Sequence, residues 1–446
     1  MLETLDARPT KSFFIQNLTR DLSLEDAILD LVDNSIDSLI RVRELDVSPR
    51  LLRAEATGAP RQRDGLPSIS IHVSDSKFEV IDRCGGIDLE RAKHFVFRFG
   101  RAEPGTGSTL GVYGIGLKRA IFKIGRQIDI ESHTPADGFR VEINVPQWAG
   151  DDNNWDLPFK TLAAASGPAE AGTRITITDL NPETIFRIND GTLMAGLEDD
   201  IATTYSLFLA RFLTVELNGK LVQPRPLPIG MSEELPPAGK TLDIDGVVVE
   251  LVAGLAARKD GEWNADRAGW YVMCNGRVVV SADKTELTGW GVFAPSFVSK
   301  LRGFVGIAFF FSTDPAALPW TTTKRGLNRD SKVFQLARKE MSSIARPVTA
   351  FLNRMYPSDP SEDIQERALA DQLKPVDMSA VLRQARPVFS PPEVSSHKKR
   401  ATISVQYDAD RADVDRIKRK LSKPRWGAGK VGRYTFEYYL KSELPE

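Results

Sequence analysis

Asp30-Leu-Val-Asp33-Asn34-Ser-Ile-Asp37 lies in a stretch where Leu24, Ile28, Leu31, Val32, Ser35 and Leu39 recur at helical spacing. Ser23 offers an N-cap with Asp26 three residues on, so a helix is predicted over 23–43. Such a helix puts Asp30 and Asn34 on one face, one turn apart. Before it, 11–20 carries apolar Phe13, Phe14 and Ile15; after it, 51–67 is rich in Arg, Ala, Gly and Pro and reads as a loop. Alternation predicts strands over 68–74 and 77–82, the second running into Asp82-Arg-Cys-Gly85-Gly86-Ile. A short helix is expected over 88–97, and the Gly, Ser, Thr and Pro of 100–111 suit a mobile lid. Gly111-Val-Tyr-Gly114-Ile-Gly116-Leu-Lys118 then opens a helix at 115–125, followed by strands at 128–132, 139–143 and 173–178. Helices interleaved with antiparallel strands predict an α+β, two-layer α/β sandwich.

A second domain is expected after residue 185. It begins with a helix at 197–212 and a hairpin over 213–222 around Asn218-Gly219. Further strands are predicted at 247–255, 268–281 and 302–312, with a long helix at 329–354. Residues 356–400, rich in Pro, Ser and charge, read as a linker with one helix at 361–373. The last part, 401–446, reads as a strand, a charged helix at 410–421 and an aromatic stretch at 434–440. The expected domains are therefore 1–185, 186–355, a linker over 356–400, and a small C-terminal module over 401–446.

Composition narrows the class. The 446 residues carry 59 Lys+Arg against 60 Asp+Glu, so no global charge advertises nucleic acid. Cys84 and Cys274 stand far apart and the four histidines are scattered, which argues against a disulfide scaffold or zinc site. The first residues lack a signal-peptide layout, and the longest apolar run, 305–311, is too short to span a bilayer. A cytoplasmic protein with no membrane partner is expected. Locally, 397–433 holds twelve basic against four acidic residues, an excess of +8 that suits phosphate-backbone binding or, equally, a solvated helix and tail.

In this order and spacing, the three motifs and Ala171-Gly172-Thr173 resemble the ATP site of the GHKL family. That family takes in gyrase, the ninety-kilodalton heat-shock chaperones, histidine kinases, MutL and the microrchidia (MORC) ATPases. Phe97-Arg98-Phe99-Gly100-Arg101 and the form Gly-x-Tyr-Gly-x-Gly-Leu-Lys are most similar to MORC-type members. A dinucleotide-binding reading fails, because the glycine order is reversed and a loop precedes it. The resemblance, over 10–355, implies a Bergerat-type sandwich, then a ribosomal-S5-like transducer, with a small C-terminal α/β extension.

It also implies the site and its cofactors, ATP and Mg²⁺. Asn34 would be the magnesium ligand, a side-chain oxygen beside phosphate oxygens and water. Asp30 would be the general base that orients water, where most members carry Glu. Asp37 belongs to the same nucleotide site. Asp82 would accept from the adenine amino group, Gly86 would let backbone pass close to the base, and Thr173 would buttress Asp82 and the adenine through its hydroxyl and a water. Cys84 stands where the family has its first glycine. Gly111, Gly114 and Gly116 would turn N–H groups to phosphate, with Lys118 beside them. In Pro319-Trp320-Thr321-Thr322-Thr323-Lys324-Arg325-Gly326, Lys324 would reach the γ-phosphate, with Arg325 as the alternate. Read without the resemblance, Asp30, Asp33 and Asp37 form a solvated helix face, Asp82 an Asp-turn, and 319–326 a solvated basic loop.

The function expected is a slow Mg-dependent ATPase. It would pair two protomers through the N-terminal segment and lid as an ATP-gated homodimer clamp on DNA, bound through 397–433, in genome maintenance or antiviral defence. Two rivals remain: a chaperone-like clamp on protein clients, and a hydrolytically weak nucleotide-sensing subunit.

Overall fold

The computed structural model describes residues 10–54, 65–99, 107–111, 114–356, 365–392, 405–424 and 426–444. Residues 1–9, most of the expected lid (100–106), two residues of the glycine motif (112–113) and part of the basic stretch (397–404 and Arg425) lie outside the described residues. The chain divides into two compact units, Met1–Pro392 and Glu393–Glu446.

The first unit is built on two sheets. One contains β1 (Ser68–Val73), β2 (Phe78–Asp82), β3 (Gly125–His133), β4 (Gly138–Asn144), β5 (Phe159–Leu162), β6 (Gly172–Leu180), β7 (Thr214–Leu217) and β8 (Lys220–Leu221), in the order β5-β4-β3-β6-β2-β1-β7-β8. The helix Leu24–Arg43 starts where expected: Ser23 Oγ accepts from Asp26 N at 3.0 Å, and Glu25 and Asp26 add favourable charge in the first turn. It ends where Glu44 turns left-handed at φ +47°. Its Ile28, Leu31, Val32 and Leu39 are buried in one core with Ile69, Ile71, Phe78 and Val80 of the sheet. Each such side chain contributes about 1.5–3 kcal/mol by leaving water. The helix Gly116–Ile124 packs against it, and Lys11–Thr19 packs on Gly116–Ile124 in turn.

Four expectations are corrected. Residues 214–221 do not open a second domain: β7 pairs in parallel with β1, Ile69 opposite Val215, and extends the first sheet well past residue 185. Parallel pairing joins strands distant in sequence, so no local turn signal announces it. The helix expected at 197–212 is broken at Tyr205 into Leu193–Thr204 and Ser206–Arg211. Instead of one helix over 88–97, a turn at Leu89–Arg91 continues as a π-turn, Ala92–Val96. The linker is in part packed structure. Lys374–Pro375 pairs with Ile229–Met231, the helix Met378–Gln384 follows, and Phe389 meets the ring of Phe351 at 5.6 Å. Leu373, Val381, Leu382 and Phe389 are buried there, apolar anchors set among Pro and charged residues.

The second sheet contains β9 (Ile229–Met231), β10 (Ala238–Ile244), β11 (Val247–Ala256), β12 (Gly269–Cys274), β13 (Arg277–Asp283), β14 (Phe304–Phe311) and β15 (Lys374–Pro375). Its order is β13-β12-β14-β11-β9-β15, with β10 on β11. The helix Lys332–Arg354 covers β11 and β14. The β12–β13 turn delivers Asn275, whose amide bonds Thr109 O and Ser312 O, and Arg277, which is 2 % exposed.

The second unit, among its described residues, holds two helices, Arg411–Lys420 and Ala428–Glu443, and no strand. The aromatic stretch 434–440, expected in an α/β module, is helical, with Trp426 against Tyr434 at 5.7 Å and Val431 buried. Phe436, Tyr438 and Tyr439 stay exposed. Among the described residues no helix is long and apolar enough to cross a membrane.

Candidate functional site

The sequence-selected residues come from five segments of chain, and the fold brings them to one place. A cavity enclosing about 1370 Å³, part of it open to solvent, is lined by Asp30, Asn34 and Asp37 of the helix Leu24–Arg43 and Asp82 at the tip of β2. Gly111, Gly114, Gly116 and Lys118 line it too, with Thr173 on β6 and Lys324 from the loop before the last long helix. Gly86 does not line it.

Asp82 is the most firmly set of these. Ser35 Oγ donates to its Oδ2 at 2.9 Å, while Cys84 N (2.9 Å) and Thr173 N (3.3 Å) donate to Oδ1. Burial raises its pKa above the ordinary value, against the pull of those three donors. Thr173 supports Asp82 through its backbone N–H, and its hydroxyl lies 3.0 Å from Ser132 Oγ.

Gly86 carries a constraint of its own within the fold. At φ +73°, a Cβ there would lie 2.2 Å from the carbonyl oxygen of His133, so the approach of β3 requires glycine. Ser38 Oγ, at 2.8 Å from Gly86 O, ties this turn to the first helix. Gly86→Ala should cost about 1–3 kcal/mol from backbone strain, before any clash. The urea midpoint reads it; an unchanged midpoint refutes the account.

The glycine segment is anchored from below. Asp37 accepts from Leu110 N at 2.5 Å and Gly111 N at 2.7 Å, and burial lifts its carboxyl to about 6. Gly114, at φ +62°, lets the chain turn into the helix Gly116–Ile124, whose N-terminus faces the cavity. Lys118, expected at phosphate, donates instead to the carbonyls of Val96 (2.8 Å) and Arg98 (2.7 Å), and burial lowers it to about 8. It ties the segment that ends at Phe99 to the helix Gly116–Ile124.

Two acids of the first helix carry ion pairs that the sequence did not indicate. Asp30 is gripped at both oxygens by Arg119, at 2.5 Å from Nε and 2.9 Å from Nη2. Asp33 is shared by three elements: Lys324 Nζ at 2.6 Å, Arg277 Nε at 3.0 Å and the Tyr205 hydroxyl at 2.7 Å. Burial alone would raise the Asp33 pKa, but Arg277 and Lys324 more than offset it and hold it below the ordinary value. Arg277 and Lys324 share the Asp33 carboxylate beside the cavity, and Asp37 also lies within the field of Lys324. Lys324 itself is left-handed at φ +56°, a strained backbone of the kind stored at functional sites. Arg325, its expected alternate, turns away to Asp26 and Asp200.

Asn34 completes the floor. Its amide nitrogen is buried without a hydrogen-bond partner. Since amide nitrogen and oxygen are interchangeable by a flip, either a donor or an oxygen ligand is free at this position. A buried amide left open beside Asp30, the glycine turn and Lys324 fits a phosphate–magnesium group.

Residues 22–158 match the family described as histidine kinase-, DNA gyrase B-, and HSP90-like ATPases. The match contains Asp30, Asn34, Asp82 and the glycine segment, and it supports ATP binding. Thr173 and Lys324 lie beyond it. A comparison with curated proteins gives no match.

Proposed function

We propose that the protein is an Mg-dependent, slowly hydrolysing ATPase that uses ATP as a conformational switch. The observation that carries this is the convergence of Asn34, Asp82 and Gly114 on one cavity. Asp82 reads the adenine amino group, and the N-terminus of the helix Gly116–Ile124 meets the phosphates. Asn34 holds Mg²⁺, which when bound neutralises phosphate charge. Asp30 stands in the place of the water-orienting acid. Lys324 exchanges Asp33 for the γ-phosphate, so the second sheet, which also reaches Asp33 through Arg277, feels whether ATP is intact. In this reading that sheet and its helix act as a transducer, and ATP closes a MORC-like homodimer clamp on DNA.

The test is phosphate release from ATP with and without double-stranded DNA. Wild type should turn over slowly and require Mg²⁺, with turnover changed by DNA. Asn34→Ala should lose the Mg²⁺-dependent part. Equal release by both proteins removes Asn34 as the ligand, and indifference to DNA favours a protein client.

A further inference from the structure

Asp30 stands where longer acids stand in most members of the family this site resembles, one methylene short of them. Its partner is specific: Arg119, in the first turn of the helix Gly116–Ile124, takes both carboxylate oxygens with a two-point fork. The two side chains are 3 % and 7 % exposed. The pair sits directly under the glycine turn, where a Cβ on Gly116 would lie 3.6 Å from the Asp30 carboxyl carbon. Guanidinium does not give up its proton, so the pair relays nothing to or from water. Separating it would leave two uncompensated buried charges, a strongly unfavourable outcome. A carboxylate that orients an attacking water must aim a lone pair at that water, and here the Arg119 fork takes one lone pair on each oxygen and fixes the plane in which Asp30 can aim the others.

We propose that Arg119 is a positioning residue that holds Asp30 away from the attacking water, so that this site keeps ATP bound and intact for long periods. The inference rests on the ATP reading above. The short acid and the arginine form one device: the missing methylene brings the carboxylate within the reach of Arg119, and the fork retains it there. The pair is neutral, so nucleotide affinity does not depend on its release.

Asp30→Glu tests this while preserving the charge. The longer acid overreaches the fork and presents an oxygen to the cavity, so phosphate release should rise about 100-fold or more, the low end of what acid–base groups supply. Affinity for a non-hydrolysable ATP analogue should stay within about threefold of wild type, under 0.7 kcal/mol. Nucleotide recovered from the protein after incubation should shift from ATP to ADP. Arg119→Gln, if it folds, should move turnover the same way with affinity kept. Unchanged or slower turnover in Asp30→Glu, with affinity intact, overturns the proposal and leaves the pair a structural one. Failure of wild type to bind the analogue instead overturns the ATP reading itself.

Discussion

Asp82→Asn should bind ATP about 10- to 100-fold more weakly than wild type while unfolding at nearly the same urea concentration. The substitution is isosteric, and the hydrogen bonds around it can be remade. Asn Oδ1 still accepts from Cys84 N and Thr173 N, and the Ser35 hydroxyl can turn round to accept from the new amide. What changes is the oxygen with spare capacity. Oδ2 has only Ser35 as donor, and its replacement by an NH₂ group sets donor against the adenine amino donor. An unmet buried donor costs about 1–3 kcal/mol, which spans the range expected. Guanine carries an acceptor where adenine carries that amino group, so discrimination against GTP should relax in the same variant. Titration of both nucleotides into both proteins decides it. Equal ATP affinity removes Asp82 from base recognition.

Asp33→Ala should have the largest effect on stability. It leaves Arg277 and Lys324 buried without their shared carboxylate and Tyr205 without its acceptor. Removing one partner of a buried charge network costs about 3–5 kcal/mol. These contacts reach from the first helix to β13 and to the loop of Lys324, so the loss should also uncouple the second sheet from the cavity. The pH dependence follows from the sign of the shift. Asp33 has a folded pKa below the ordinary 3.8, so its stabilisation is fully present above that value and is lost as pH falls through the lower folded one. Wild type and Asp33→Ala should therefore differ by a constant amount at neutral pH and converge below about pH 4. Urea titrations at several pH values measure this, and a difference under about 1 kcal/mol at neutral pH contradicts the network's role.

The helix Leu24–Arg43 was legible because its information is local. A cap, a first-turn acid pair and a 3.6-residue apolar stripe act within a few turns of chain, and they set Asp30 and Asn34 on one face. The tips and turns at Asp82 and Gly114 were legible for the same reason. The fold's own constraint on Gly86 was not legible, because it is the carbonyl of His133, a neighbour brought there only by the tertiary fold. The parallel placement of β7 beside β1 escaped likewise, and with it the true extent of the first sheet.

By itself, the sequence determined the helix Leu24–Arg43, the strands that lead to Asp82 and Thr173, and the residue types offered to the cavity, since propensity, capping and periodicity are short-range properties of the chain. Only the tertiary structure decided which charges meet. Asp33 finds Lys324 across 291 residues and Arg277 across 244, and Asp30 finds Arg119 across 89. Coulomb attraction and desolvation depend on distance in space and on burial, and neither is written in the spacing of residues along the chain.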